Sequence, residues 1–475
     1  MESKNNISRR DFLKKLGLTA VATSVVASAC SDNKSKAVKE DSFDNIPKDK
    51  MTYRKNTSTG DRVSLLGYGM MRLPVINAEN DKMGGSARES EVPIDQDMVN
   101  KLVDKAIEYG VNYFDTSPAY CKGRSEHATG IALSRHKRSE YFIATKLSNF
   151  NKATWSKKAS LEMYHNSFKE LQVDYIDYML LHGVGMGDGM EEFKQRYIYN
   201  GVLDFLLEER KKGKIRNLGF SYHGDIKVFD YLLDNHDKYH WDFVQIQMNY
   251  VDWKYAKIIN ERNTNADYLY SELEKRNISV VVMEPLLGGR LVNVADIIAE
   301  QMKKREPENS IASWAFRFLG THPLILTSLS GMTYMEHLQD NLKTHCPLKP
   351  LNKQEMQFLA DVAKQIVDLK TIPCNECQYC MPCPYGLDIP NIFSFYNKCI
   401  NEGNLAESST DNSYKKQRKA FLVGYSRKVP RERQANMCTS CRECIPHCPQ
   451  RINIPAEMQK IDQHVERLKR FSPHF

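Results

Sequence analysis

Asn112-Tyr113-Phe114-Asp115-Thr116-Ser117-Pro118-Ala119-Tyr120 opens on an apolar run long enough for one strand, closes it on an acid and turns at Ser117-Pro118. Such a run reads as a buried strand whose polar residues begin where the strand stops. Working outward, seven more runs of this kind occur at residues 63–67, 141–146, 177–182, 217–221, 243–247, 278–283 and 325–328. Segments with helical spacing of apolar residues lie between them, among them 95–109, 155–171, 201–212, 266–276 and 311–319. Eight strands alternating with helices across residues 61–345 predict an α/β fold, a (β/α)8 TIM barrel. A doubly wound open sheet is the alternative, and no GxGxxG follows any of the strands, which counts against it.

The composition agrees with a folded chain. Of 475 residues, 41% are hydrophobic and 27% charged, which excludes wholesale disorder, collagen-like repeats and a multi-span membrane protein. No uncharged apolar run reaches the length of a strong spanning helix. The formal charge of +8 is carried by residues 411–475, with 14 Lys and Arg against 6 Asp and Glu. The remainder is balanced, so no nucleic-acid partner is expected.

In barrels of this type chemistry sits at the C-terminal ends of the strands. Asp115, Lys146, His182, Ser221 and Gln245 stand at those ends. Each alone reads as a helix cap or loop hydrogen-bonder; together they read as a site.

The run 112–120, with Gly123, Ser125 and Glu126 after it, resembles the aldo/keto reductase signature. So do Ala144-Thr145-Lys146, Leu180-Leu181-His182, Leu218-Gly219-Phe220-Ser221 and Val244-Gln245-Ile246-Gln247, in the family's order and spacing. The resemblance implies an oxidoreductase that reduces a carbonyl, or oxidises an alcohol, with NADP(H) or NAD(H). It implies Tyr120 as general acid–base, Lys146 as the ammonium that favours its phenolate, Asp115 as the partner of Lys146, and His182 as the residue that orients the carbonyl oxygen. It further implies Ser221 and Gln245 on the nicotinamide carboxamide, Met283 where the family stacks an aromatic, Leu286 to Gly289 around the pyrophosphate, and Gly331 to Asn341 at the adenosine end. Tyr222 replaces the usual asparagine, and Gly331 and His337 replace the basic residues for a 2′-phosphate, which leaves NAD against NADP open.

Eight of the twelve cysteines form two runs. Cys374, Cys377, Cys380 and Cys383 make C-x₂-C-x₂-C-x₂-C, and Cys438, Cys441, Cys444 and Cys448 make C-x₂-C-x₂-C-x₃-C, each followed by proline. The second is the bacterial ferredoxin run. Zinc is the alternative occupant of paired CxxC motifs, but two equal quartets match two [4Fe–4S] clusters. In two-cluster proteins the fourth cysteine of each run crosses to the other cluster, so Cys448 would join Cys374, Cys377 and Cys380, and Cys383 would join Cys438, Cys441 and Cys444. The runs are far enough apart to predict helices at 392–401 and 414–425, so a mostly helical two-cluster ferredoxin-like domain is expected. The same pairing of barrel and ferredoxin module is known within the reductase family. The basic tail would offset cluster charge or receive an acidic electron-transfer partner. Cys121, Cys346 and Cys399 match no quartet and read as packing residues.

The chain opens Ser8-Arg9-Arg10-Asp11-Phe12-Leu13-Lys14, then runs apolar to Ala27-Ser28-Ala29-Cys30. This resembles a twin-arginine export signal, with Cys30 placed for lipidation, simple cleavage or a retained anchor. The expected product is exported to the periplasm or cell envelope, touching membrane only through Cys30. The domain reading is therefore 1–30 signal, 31–50 flexible linker, 51–350 barrel and 351–475 iron–sulfur domain. An electron carrier whose barrel is only a docking scaffold is the competing function.

Overall fold

The computed structural model describes residues 43–76, 92–260, 262–369, 371–374, 376, 378–448, 450 and 452–470. Residues 44–475 form one compact unit. The signal, Cys30, residues 31–42 of the linker and Cys377 lie outside the described residues. No described helix is long and apolar enough to cross a membrane.

The chain begins with an antiparallel hairpin, β1 (Tyr53–Lys55) and β2 (Arg62–Ser64). Eight parallel strands then close into a barrel: β3 (Leu66–Gly69), β4 (Tyr113–Asp115), β5 (Phe142–Leu147), β6 (Ile176–Val184), β7 (Ile215–Tyr222), β8 (Phe243–Gln247), β9 (Ser279–Met283) and β10 (Ile325–Ser330), with β10 pairing back to β3. The expected barrel is observed, with one correction. The first run, 63–67, is not one strand. Its front half pairs in the hairpin, and its back half opens the barrel. Val63 turns inward and plugs the barrel floor with Tyr113, Tyr178, Phe243 and Val281. The hairpin turn seals that end through polar bonds. Asn56 Nδ2 donates to Asn217 Oδ1 at 3.2 Å, the Thr57 amide to Ser279 Oγ at 2.9 Å, and Ser58 Oγ to Asp242 Oδ1 at 2.6 Å.

Strand residues alternate between lumen and shell. Val244, Ile246 and Met248 pack outward against helices, while Phe243 fills the lumen. Gln245 and Gln247 therefore point inward, one above the other. The same count turns Asp115, Lys146, His182 and Ser221 inward near the C-terminal mouth. Gly219 lies on this inner face. A Cβ there would stand 2.3 Å from Phe243 O and 2.8 Å from its ring.

The helix Lys353–Asp368 starts on a capping box, Asn352 with Glu355. It falls within the sequence-predicted iron–sulfur domain, yet Phe358, Leu359, Val362 and Ala363 pack on the barrel's outer core. Arg317 Nη2 donates to Glu355 Oε1 at 2.8 Å. The C-terminal module builds its own core from Ile372 onward, around Ile389, Phe393, Phe421, Met458 and Leu468. Its helices are Ile389–Asn401, Tyr414–Lys428 and Ile454–Arg470.

Gly219→Ala is expected to destabilise the chain by about 1–3 kcal/mol, because the added methyl meets backbone that cannot move aside. Urea unfolding measures it; a stability equal to wild type contradicts the packing described.

Candidate active site

Four of the predicted residues meet at the barrel mouth. Lys146 is wholly buried, and Asp115, Tyr120 and His182 are 2%, 9% and 8% exposed. Lys146 Nζ donates to Asp115 Oδ1 at 2.6 Å and to Thr116 O at 2.8 Å. The same ammonium lies 4.7 Å from the centre of the Tyr120 ring. Tyr120 meets the His182 ring edge-on at 5.9 Å. Tyr120 is carried past the end of β4 on a short helical turn in which Cys121 and Lys122 take left-handed backbone, φ 51° and 54°. Non-glycine residues seldom adopt that region, and such strain collects at functional sites. Cys121 is buried behind this turn.

Burial pulls the Lys146 ammonium below the ordinary lysine range, and the Asp115 carboxylate opposes that pull. His182 is held well below the ordinary histidine range by burial, then by the charges of Lys146, His223 and Arg196. It is therefore a neutral imidazole. Its Nδ1 is held by Ser148 Oγ at 2.6 Å, with Ser117 Oγ at 3.4 Å, and Nε2 has no hydrogen bond among the described residues. Arg196 Nη2 donates to His182 O at 2.5 Å, and the Tyr197 hydroxyl accepts from the His182 amide at 3.0 Å. Phe150 covers the imidazole at 4.7 Å. Ser117, Ser148, Phe150 and Arg196 were not singled out from sequence. Inward alternation, two residues beyond Asp115 and Lys146, would have found the two serines.

The candidate cofactor residues divide. Ser221 Oγ accepts from the Gly183 amide at 2.8 Å and pairs in register with Gln245. Gln245 Nε2 reaches Met283 Sδ at 3.6 Å, while its Oε1 is buried without a hydrogen-bond partner among the described residues. Gln245 sits inside β8 and not at its end. Gln247, one inward step higher, donates to Asp252 Oδ2 at 2.8 Å. Tyr222 turns outward and bonds to Gly224 O and Thr264. His223 follows Ser221 on the inward face, its pKa pushed down to about 4 by burial and by Lys146. Leu286 and Gly289 lie in the loop after β9. Gly289 has φ 95° with nothing within 4 Å of a Cβ, so backbone conformation explains the glycine there. Gly331 lies against the Arg72 side chain. Asn341 is buried and donates to Ser330 Oγ at 2.8 Å.

The cysteines gather in two places. A cavity of about 310 Å³ is lined by Cys438, Cys441, Cys444, Cys383 and Cys380. A narrower cleft beside it is lined by Cys374, Cys380 and Cys448. Glu376 and Gln378 in one run, and Ser440 and Arg442 in the other, have φ of 54°, 66°, 60° and 68°. These are the second and fourth residues after Cys374 and after Cys438. The two loops share one unusual conformation, and the Glu376 amide donates to Cys374 Sγ at 3.4 Å. Each run continues alike, Cys383-Pro384-Tyr385-Gly386-Leu387-Asp388-Ile389-Pro390 and Cys448-Pro449-Gln450-Arg451-Ile452-Asn453-Ile454-Pro455, into a helix. This internal repeat was not read from sequence. Among the described residues no three metal-ligating side chains stand close enough for a single ion.

The model of the aldo/keto reductase family matches residues 82–364. The uncharacterised oxidoreductase YqkF of Bacillus subtilis is 25% identical over 292 residues, 56% of this chain and 87% of that protein. Methylglyoxal reductase DkgB of Salmonella typhi is 35% identical over 129 residues, 26% of this chain and 43% of that protein. Among solved structures, the thermostable aldo-keto reductase Tm1743 in complex with the inhibitor epalrestat superposes with TM-score 0.51 at 21% identity, covering 66% of this chain and 100% of that one. An aldo-keto reductase from Klebsiella pneumoniae in complex with NADPH gives 0.50 at 18%, covering 66% and 96%.

Beside the site, Glu126 is buried and accepts from Thr145 Oγ1 at 2.5 Å. Burial pushes its pKa up to about 7 from an ordinary 4.5. Between those values the folded chain keeps a proton that the unfolded chain releases, so stability falls as pH rises through the window and levels off above it. Glu126→Gln is expected to flatten that slope, gaining about 1–3 kcal/mol on wild type at pH 8 and nothing at pH 4.5. Urea unfolding at several pH values checks this; parallel slopes contradict it.

Proposed function

This chain belongs to the aldo/keto reductase family, and from that premise we propose that its barrel reduces a small carbonyl compound to an alcohol, or runs the reverse, with a nicotinamide dinucleotide across the barrel mouth. The observation that carries this reading is the buried Lys146–Asp115 pair with the Tyr120 ring beside its ammonium. The bound nicotinamide would supply or accept the hydride. Tyr120 Oη gives a proton to the carbonyl oxygen, or takes it back. Lys146 favours the phenolate left behind, and Asp115 keeps Lys146 charged and fixed. His182, neutral and held at Nδ1 by Ser148, turns Nε2 to the carbonyl oxygen. Phe150 shields that bond from water.

The polar residues suit the carboxamide. Gln245 Oε1 is a buried acceptor lacking a donor among the described residues, and an amide N–H is a donor. Ser221 Oγ already accepts from Gly183, so its own hydrogen is left to donate. Met283 would pack on the ring, Leu286 to Gly289 would follow the pyrophosphate, and Gly331 and Asn341 would flank the adenosine. The Klebsiella relative was solved with NADPH, which favours NADP; Gly331 and His337 keep NAD open.

We further propose that the C-terminal module holds two [4Fe–4S] clusters, one on Cys383, Cys438, Cys441 and Cys444, the other on Cys374, Cys377, Cys380 and Cys448. The cavity that brings Cys383 to the second run, the cleft that brings Cys448 to the first, and the paired left-handed positions support this crossed set. The two clusters together exchange two electrons, the number a hydride carries, so in this reading a relay from an electron-transfer partner would re-reduce the nicotinamide after it has given its hydride to the carbonyl, or drain it in the reverse direction. In this reading electrons would enter beside Cys441, which is exposed and flanked by Arg442. Export by the twin-arginine route, with Cys30 as an optional lipid anchor, completes the proposal.

Tyr120→Phe should lower carbonyl reduction by about 10²- to 10⁴-fold while leaving iron content and nicotinamide binding unchanged. Activity within about twofold of wild type would refute Tyr120 as the acid. The chain purified without oxygen should carry about eight iron and eight sulfide, with broad absorbance near 400 nm that bleaches on reduction. Cys441→Ser should lose one cluster; stoichiometric zinc and no iron would sink the cluster assignment.

A further inference from the structure

Arg290 closes the loop that the barrel presents to the dinucleotide, and it leaves the barrel to do so. Its Nη2 donates to Thr371 Oγ1 at 2.8 Å, three residues before Cys374, the first cysteine of the first run. Its Nη1 is buried and has no hydrogen-bond partner among the described residues. Burial disfavours the Arg290 guanidinium, and the charge of Asp252 on the barrel side, with that of a Cys374 thiolate on the module side, would favour it. Asp252 is itself tied to the mouth, accepting from Gln247 at 2.8 Å and from Asn249 at 2.7 Å, while Asn249 also donates to Glu284 O. One further bond fixes this seam: Asn401 Nδ2 donates to Asn293 O at 3.1 Å. The loop of residues 284–290 is therefore shared between the two halves of the unit, and Arg290 is the only described cation that reaches from it to the opening of a cysteine run.

The two cysteine groups differ in depth. Cys441 is exposed, whereas Cys448, which shares the cleft with Cys374, is buried. The Cys374 group is thus the inner one, beside Arg290.

We propose that Arg290 is a positioning residue that couples the dinucleotide loop of the barrel to the inner iron–sulfur cluster, tying residues 284–290 to residues 371–374 and holding that cluster's potential up. The inference rests on the two-cluster reading given above. A cluster that takes up an electron gains negative charge, so a neighbouring cation favours its reduced form. A dinucleotide pyrophosphate on residues 286–289 competes for the same guanidinium. Nucleotide binding then lowers the inner potential, and by linkage the reduced cluster tightens Arg290 and weakens the nucleotide by the same factor. Arginine suits this position because it stays charged when buried and its planar fork serves Thr371 with one nitrogen while another stays available.

The test uses the full chain, purified without oxygen, as wild type, Arg290→Met and Arg290→Lys. Iron and sulfide are assayed first, and both couples are then titrated by electron paramagnetic resonance with and without NADP⁺. In Arg290→Met one couple should fall by about 59 mV or more, a tenfold change for one electron, while the other stays. Arg290→Lys should keep most of the wild-type value. NADP⁺ should lower that same couple in wild type and leave it unmoved in Arg290→Met. Full iron with both couples unmoved, or both moved alike, overturns the inference and leaves the clusters standing. If Arg290→Met fails to assemble, the wild-type titration decides alone, because a couple indifferent to NADP⁺ contradicts the coupling. A wild-type chain without iron would instead overturn the two-cluster reading, which the assay reads separately.

Discussion

A wholly buried ammonium, Lys146, on a nearly buried carboxylate, Asp115, organises the mouth of this barrel. Taking both charges from water costs several kcal/mol per ion, and their attraction repays that only when the geometry is tight. The chain supplies such geometry through the barrel itself. Adjacent strands β4 and β5 bring the two side chains together on the lumen face, and Thr116 O adds a second acceptor. A buried pair of this kind is weak evidence for stability. Its value here is positional: with the ammonium fixed, the Tyr120 ring, the neutral His182 and the strained turn at Cys121 and Lys122 follow from the same strand ends. Removing either partner would leave an uncompensated charge in the lumen.

Much of this was legible beforehand, for identifiable reasons. Parallel strands buried on both faces read as near-continuous apolar runs, so seven of the eight were placed within a few residues. The failure at residues 63–67 has a local cause. One apolar run served two sheets, and Ser64 and Leu65 mark a corner that composition does not reveal. Lys353–Asp368 was assigned by sequence position to the module, while its apolar face belongs to the barrel shell; a helix pattern states that a face is buried but not against what. At the site, Asp115, Lys146, His182, Ser221 and Gln245 were found, and inward residues one step further along were missed. Ser117, Ser148 and Gln247 matter through alternation, which needs the register first. Arg290 carries no local signal at all, since its meaning lies in Thr371, which meets it only in the fold.

The two halves also differ in how their conformation is paid for. The barrel is held by apolar packing in lumen and shell. Left-handed non-glycine residues occur in both halves, and in the cysteine loops four of them stand at matched positions, each an unfavourable choice by about 1–2 kcal/mol. Such repeated strain persists where something over-determines it, and the proposed clusters would be a sufficient cause, because their binding would then be part of the folding energy. On this account the module is most stable when loaded, and the loop carrying Arg290 inherits that order.

The central claim is that reduction occurs by hydride within the barrel and not by electrons delivered from the module alone. The direct measurement is isotope transfer. The full chain would be mixed with NADPH deuterated at C4 of the nicotinamide and with a panel of small carbonyl compounds, and the alcohol formed would be examined by mass spectrometry. The account predicts deuterium on the carbinol carbon, with label and turnover both lost in Tyr120→Phe. An alcohol whose carbinol hydrogen comes from solvent would contradict it.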